Sequence, residues 1–128
     1  MSFVPNTNGP SCPMGRITVA AAGTSVLFND NWDPKWDSSP VTAAKPAQYA
    51  IACSDIIINP VPLNAGGLYV VTRGGSKDDP NTIVMYIPKG SSPVHLSQSL
   101  GSDRFAPEAY ALDAEQNGDA ADISGVIS

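Results

Sequence analysis

Charged residues are scarce in this chain. Only 15% of the 128 residues are charged, against about 25% in an average soluble domain. Seven Lys and Arg stand against twelve Asp and Glu, which leaves a net charge of −5. Nucleic acid and anionic membrane surfaces attract the opposite sign. We therefore expect neither as a partner, and we expect a largely neutral surface suited to contact with other protein.

Long apolar runs are also missing. No stretch approaches the roughly 18 consecutive apolar residues of a membrane-spanning helix. The first ten residues, MSFVPNTNGP, lack the charged and apolar regions of a secretory signal peptide. We expect a protein that acts where it is made, in the cytoplasm, or that leaves the cell inside an assembly.

Histidine and cysteine are too few for most catalytic and metal sites. The chain has a single histidine, His95, and two cysteines, Cys12 and Cys53. A structural zinc site needs four nitrogen or sulfur ligands. Cys53 is interpreted as a small buried apolar residue, and a reducing cytosol disfavours a bridge to Cys12. His95 lies on the polar face of an alternating segment, so it is predicted to be solvated, with no partner to orient it for catalysis.

The chain is organised around residues 49–71. Ile56, Ile57 and Ile58 are β-branched in succession, which is typical of a strand buried on both faces. The apolar parity changes near Ser54-Asp55, which indicates a bulge there. Pro60 ends the strand because proline cannot donate to a ladder. A glycine-containing turn follows, and then a second strand, so the segment is predicted to form the core strand pair.

The other apolar segments also alternate with a period of two and are separated by turn residues. We predict an all-β domain of about eight short strands over residues 16–128, a jelly-roll-like sandwich or barrel. The last two strands are predicted to form a hairpin around Asn117-Gly118. The predicted strands are 16–20, 24–29, 49–59, 68–73, 82–87, 93–100, 109–114 and 121–127.

Two segments show no period. Residues 1–15 contain three prolines and are either a frayed tail or an extended arm that packs on a neighbouring subunit, with Phe3 and Val4 near its tip. Residues 30–47 form a long loop that carries Trp32 and Trp36. These indoles either cover one end of the core or contribute to an interface. The four aromatic and apolar residues named here are the candidate interface residues.

One string imitates a metal site. Asp113-Ala-Glu-Gln-Asn-Gly-Asp119 resembles the start of a calcium loop, but the twelfth position, which should be acidic, is Ser124. The flanking segments are strand-like, so we interpret the string as turn chemistry. No glycine pair has the strand–loop–helix context of a phosphate site. The sequence predicts no catalytic residue, no metal and no cofactor.

The order of several segments resembles a known class of proteins. ITVAAAGTSVL at 17–27, LNAGGLYVV at 63–71, IPKGSSPVHL at 87–96 and AYALDAEQNGD at 109–119 together resemble the capsid decoration, or cement, proteins of tailed bacteriophages that have jelly-roll folds. The resemblance spans residues 16–127 and does not include the tryptophan loop.

The resemblance implies a structural virion protein without enzymatic activity. Such proteins bind the outer surface of the major capsid protein lattice, usually as homodimers or homotrimers, and stabilise the head. A ligand that binds only the assembled lattice stabilises it by mass action, and several contacts per copy add avidity. An alternative is a receptor- or carbohydrate-binding sandwich of a head fibre, suggested by Trp32 and Trp36. A small hydrolase that depends on His95 is a third hypothesis.

Overall fold

The described part of the chain contains eight strands. The computed structural model describes residues 11–28, 53–102 and 104–127. We number the strands in chain order, with a short helix α1 between the sixth and seventh. In chain order, the elements are β1 (Ser11–Thr18), β2 (Val26–Leu27), β3 (Cys53–Pro60), β4 (Leu68–Thr72), β5 (Ile83–Ile87), β6 (Val94–His95), the helix α1 (Leu96–Leu100), β7 (Tyr110–Ala114) and β8 (Ala120–Ile127). Short 3₁₀ turns lie at Pro80–Thr82 and Pro107–Ala109.

The strands form two antiparallel sheets, in the orders β1-β8-β3-β6 and β2-β7-β4-β5. The fourth strand pairs with the fifth, the third with the sixth, the second with the seventh and the first with the eighth. This nested pairing is the wrapping of a jelly roll: consecutive strands alternate between the two sheets, except β4 and β5, which pair within one sheet. The predicted all-β sandwich of about eight strands is therefore confirmed.

The nesting overturns two predicted strand pairs. β3 and β4, predicted as the core pair, lie in opposite sheets, and so do β7 and β8 around Asn117-Gly118. In each case the connection crosses from one sheet to the other, although its turn residues suit a hairpin. The strands instead find distant partners: β8 pairs with β1 and β3, and β7 pairs with β2 and β4.

β3 confirms some local predictions and corrects another. Its pairing with β8 shifts register between Cys53 and Asp55, so the predicted bulge is present, and the strand ends at Pro60. Ile56 and Ile58 are fully buried between the sheets, whereas Ile57 is only partly buried on the outer face. The prediction that β3 is buried on both faces is wrong, because no layer of the described structure fully covers the outer side of this sheet.

The segment predicted as strand 93–100 is mostly helical. Only Val94 and His95 pair with β3, and Leu96–Leu100 forms α1, which ends at Gly101 in the left-handed conformation. The alternating pattern placed Leu96 and Leu100 on one inward face. Leu96 is buried, whereas Leu100, the last residue of α1, is 39% exposed.

β1 begins at Ser11 and contains a bulge between Pro13 and Gly15. Residues 11–15 of the predicted arm therefore lie in the first sheet. Residues 1–10, which include Phe3 and Val4, lie outside the described residues, as do 29–52, which include Trp32 and Trp36. The interface roles predicted for these four side chains stay predictions.

The core lies between the two sheets and is closely packed where β8 passes between β1 and β3. At Gly125 an added Cβ would lie 2.8 Å from Met14 Cε and 2.9 Å from Cys53 Sγ, so only glycine leaves room for both sulfur-containing side chains. Cys53 is buried, as predicted. Because β8 separates the strands that carry Cys12 and Cys53, their backbones lie two strand spacings apart, about 9–10 Å, beyond disulfide reach.

Candidate functional site

The calcium-like string forms a structural hub. Its side chains accept hydrogen bonds from backbone N–H groups of the surrounding loops, which uses the oxygens that a cation would need. The loops concerned are 20–24, 61–67, 75–78 and 115–119, which we call the loop cluster. Within the residues described here, no group of three or more His, Cys, Asp or Glu is arranged to hold a metal ion.

Asp113 is the centre of this hub. It is fully buried, although its position in β7 directs it to the outer side of the second sheet, where the loops cover it. Oδ1 accepts the N–H groups of Gly23 at 2.9 Å and Ala114 at 2.8 Å, and Oδ2 accepts that of Lys77 at 2.7 Å. The carboxylate thus joins two loops that are distant in the sequence, and charge-assisted bonds of this kind are among the stronger ones.

Asp119 and Asn64 hold the turn between β3 and β4. Asp119 is 5% exposed and accepts the N–H groups of Ala65 and Gly66, both at 2.8 Å. The side-chain amide of Asn64 donates to the carbonyl of Ala120 at 2.8 Å and accepts its N–H at 2.9 Å. Four hydrogen bonds from two buried side chains therefore fix this turn against the start of β8.

Leu63 projects from this fixed turn. It is 93% exposed, the largest exposure among the large apolar side chains of the described residues. The turn closes with a bond from the N–H of Asn64 to the carbonyl of Val61 at 3.1 Å, and Pro62 restricts its backbone further. A solitary exposed leucine needs no explanation on a flexible loop, but here its position is determined by buried hydrogen bonds.

Glu115 connects the loop cluster to the second sheet. Its Oε1 accepts both the N–H of Gly67 at 2.8 Å and the hydroxyl of Tyr86 at 2.9 Å. The hydrogen bond to Glu115, followed by desolvation, raises the pKa of Tyr86. Asn117 adds a further link because its Oδ1 accepts the N–H of Ala22 at 2.8 Å.

His95 has a partner that the sequence analysis did not foresee. Its Nδ1 lies 2.7 Å from Oδ2 of Asp55, whose Oδ1 accepts the N–H of Ser97 at 3.0 Å. The expectation that no group orients His95 is therefore wrong, because the bulge at Ser54 places Asp55 beside it. The imidazole remains 40% exposed. Among the described hydrogen bonds, no serine hydroxyl or cysteine thiol contacts His95, so nothing there assembles a nucleophile.

A groove lies next to this pair on the outer face of the first sheet. Its volume is about 380 Å³, and its lining includes Ile57, Asn59 and Pro93 from the His95 side and Asp122 from β8. Arg16 pairs with Asp122 through two bonds of 2.9 and 3.1 Å. That pairing lowers the pKa of Asp122. The groove is lined by both polar and apolar residues, and this set of residues does not indicate a particular reaction.

The comparisons with known proteins do not assign this chain to a family. No family model, no curated protein and no solved structure matches it. In the described part of the chain, no helix has the length and apolar character needed to cross a membrane.

The residues that the sequence analysis missed are Leu63, Asp55 and Tyr86. For Leu63 a signal existed: an apolar residue in the middle of a Pro-Leu-Asn turn has no neighbouring strand residue to pack against. For Asp55 and Tyr86 there was none, because their partners are 40 and 29 residues away in the sequence.

Proposed function

We propose that the protein is a non-enzymatic structural protein of a tailed-phage virion, which binds the outer surface of the major capsid protein lattice through the loop cluster. The observation that carries this proposal is the placement of Leu63. An apolar side chain that is 93% exposed stands on a turn fixed by two buried polar side chains. Binding by a preformed surface loses less entropy than binding by a flexible one.

The composition of the loop cluster supports contact with protein. Besides Leu63, the exposed residues of the loop cluster include the small, uncharged Ala20, Ala21 and Ala65. Interfaces combine a buried apolar anchor with a rim that excludes water, and their centres are depleted in charge. The similarity in segment order to capsid decoration proteins, noted above, points to the lattice as the partner, and a homo-oligomer would present several such anchors at once.

The test is co-sedimentation with empty shells built from the major capsid protein encoded with this chain. We expect the wild-type protein to sediment with expanded shells and to ignore free capsid subunits, and size-exclusion chromatography should show an oligomer. Leu63→Ser should weaken shell binding by roughly tenfold or more, the loss expected when an interface anchor is truncated.

Leu100→Ser is the matched control, because Leu100 is also an exposed leucine but lies outside the loop cluster. It should sediment like the wild type. Both variants are first compared with the wild type by circular dichroism. A wild-type protein that remains a monomer and does not bind shells overturns the proposal; equal binding of Leu63→Ser and wild type overturns the role of the loop cluster.

A further inference from the structure

Two tyrosines lie side by side on the outer face of the second sheet. Tyr69 in β4 and Tyr86 in β5 are directly opposite each other in the strand register. Their ring centroids are 4.9 Å apart, and the ring planes are inclined by 51°. Tyr86 is 43% exposed, so a substantial part of its ring is open to solvent. The pair forms a small aromatic surface next to the loop cluster.

The position of Tyr86 is fixed from three sides. Its hydroxyl donates to Oε1 of Glu115, and Tyr69 packs against its ring. Its ring also lies over Gly67, where an added Cβ would overlap the hydroxyl and the neighbouring ring carbons. Glycine at 67 is therefore required for this placement. A cross-strand aromatic pair alone needs neither the glycine nor the carboxylate.

Three polar groups on this part of the surface are unused within the described residues. Oε2 of Glu115, the side-chain amide of Gln116 and the hydroxyl of Tyr69 make no hydrogen bond to any described residue. Gln116 Cγ would lie 3.1 Å from a Cβ at Gly66, which places its chain beside the same turn as Glu115. Glu115 accepts the hydroxyl of Tyr86 and Gln116 is its neighbour in the chain, so this surface offers both acceptors and donors.

Lys77 adds a positive charge near the pair. Its hydrogen bond to Asp78 raises its pKa, opposed by desolvation, and the charges of Asp78, Asp113 and Tyr69 contribute to the increase. The backbone N–H of Lys77 bonds to Asp113, which lies directly opposite Tyr69 in the strand register, so Lys77 begins beside the pair. Because Glu115 and Lys77 bring charges of opposite sign to this surface, neither a cation nor an anion is favoured there.

We propose that the surface formed by Tyr69, Tyr86, Glu115 and Gln116 is a binding site for neutral carbohydrate. A sugar ring presents apolar C–H groups on its face, which pack against an aromatic ring, and hydroxyl groups at its edge, which need paired donors and acceptors. The exposed ring and the unused polar groups provide both. Jelly rolls also occur among lectins, an analogy at the level of the fold alone.

The experiment is an NMR titration of the full-length, ¹⁵N-labelled protein. The probes are neutral oligosaccharides of glucose, mannose and galactose, with choline chloride and a sialylated trisaccharide as charged comparisons, each up to about 10 mM, a range that reveals millimolar binding. We expect one or more neutral oligosaccharides to shift the amide signals of residues 67, 69, 86, 115 and 116, and choline to leave them unchanged.

Variants assign the binding to this surface. Tyr86→Ala should weaken binding by roughly tenfold, whereas Tyr86→Phe, which retains the ring, should have a smaller effect. Gln116→Ala removes a side chain without hydrogen bonds in the described structure and so tests the site without disturbing the fold; it should also weaken binding. Leu100→Ala, outside the site, should bind like the wild type.

Two results overturn the proposal. One is a titration in which no neutral oligosaccharide shifts these signals, including one in which only choline or the sialylated sugar does. The other is sugar binding that Tyr86→Ala and Gln116→Ala both leave unchanged. Shell binding is measured separately with Leu63→Ser, which should keep sugar binding, so failure of the carbohydrate site and failure of the capsid-binding proposal are distinguishable.

Discussion

The loop cluster and the outer face of the first sheet both contain short carboxylate contacts, but they differ in burial. In the loop cluster Asp113 is fully buried and lies 2.7 Å from the N–H of Lys77. On the first sheet Asp122 lies 2.9 Å from Arg16, with 47% of its side chain exposed. Contacts of similar length have different energies, because water competes for the exposed pair and cannot reach the buried one.

This difference indicates which part of the surface has a fixed shape. The loops around Asp113 and Asp119 are held by acceptors that have no solvent alternative, so they should open only with the fold itself. The contact between Arg16 and Asp122 can exchange with water at little cost. A binding site built on the loop cluster is therefore preorganised, whereas the ion pair beside the groove on the first sheet does not fix a shape.

The largest effect is expected for Asp113→Ala. The N–H groups of Gly23, Lys77 and Ala114 would lose their acceptor in a buried site, so the free energy of unfolding should fall by roughly 3–5 kcal/mol. Urea unfolding measures this. Asp78→Ala, which alters an exposed acid in the same loop, is the control and should leave the urea midpoint almost unchanged. Similar losses of unfolding free energy for the two variants would contradict the difference drawn here between buried and exposed carboxylates.

Asn64→Ala should have an intermediate effect. It removes both hydrogen bonds to the backbone of Ala120 and should lower the free energy of unfolding by about 2 kcal/mol. Because it releases the turn that carries Leu63, it should also weaken shell binding while Leu63 remains in place. Asn59→Ala is the matched control, because the exposed side chain of Asn59 makes no hydrogen bond to any described residue. Unchanged stability of Asn64→Ala would show that the turn is held by other contacts.

The smallest effect is expected for Asp122→Asn. Arg16 lowers the pKa of Asp122 in the folded state. The ion pair therefore makes its full contribution to stability above the ordinary aspartate pKa. This contribution is lost as pH falls through the lowered pKa of the folded state. Urea midpoints of variant and wild type should differ slightly at neutral pH, and converge in acid and in about 1 M salt, where surface charges are screened. A difference in urea midpoint that persists in acid would rule out the ion pair as its source.

Much of the local structure was predictable from sequence. The bulge at Ser54, the end of β3 at Pro60 and the burial of Cys53 follow from residue types and parity over a few neighbours. The failure at α1 is also local: Leu96 and Leu100 suit an alternating strand and a helical turn equally well, and so short a segment does not distinguish the two periods. Packing of Leu96 into the core decided between the strand and the helical turn.

The site was less predictable because its contacts join distant residues. Turn chemistry in the string 113–119 was predicted, and its carboxylates are indeed used by turns. Which loops they hold, however, depends on the separation of β7 and β8 into opposite sheets. The pairing of Asp55 with His95 and of Tyr86 with Glu115 likewise needs strands that only the folded chain brings side by side.

The amino-acid sequence by itself determined that this protein is an all-β sandwich with few charged residues, because alternation, proline positions and composition act over short distances. The tertiary structure alone decided which strands pair, why the turns at 60–67 and 115–119 cross between sheets, and which acids are buried. Those outcomes depend on closing the core over strands more than a hundred residues apart, and local propensity contains no information about that choice.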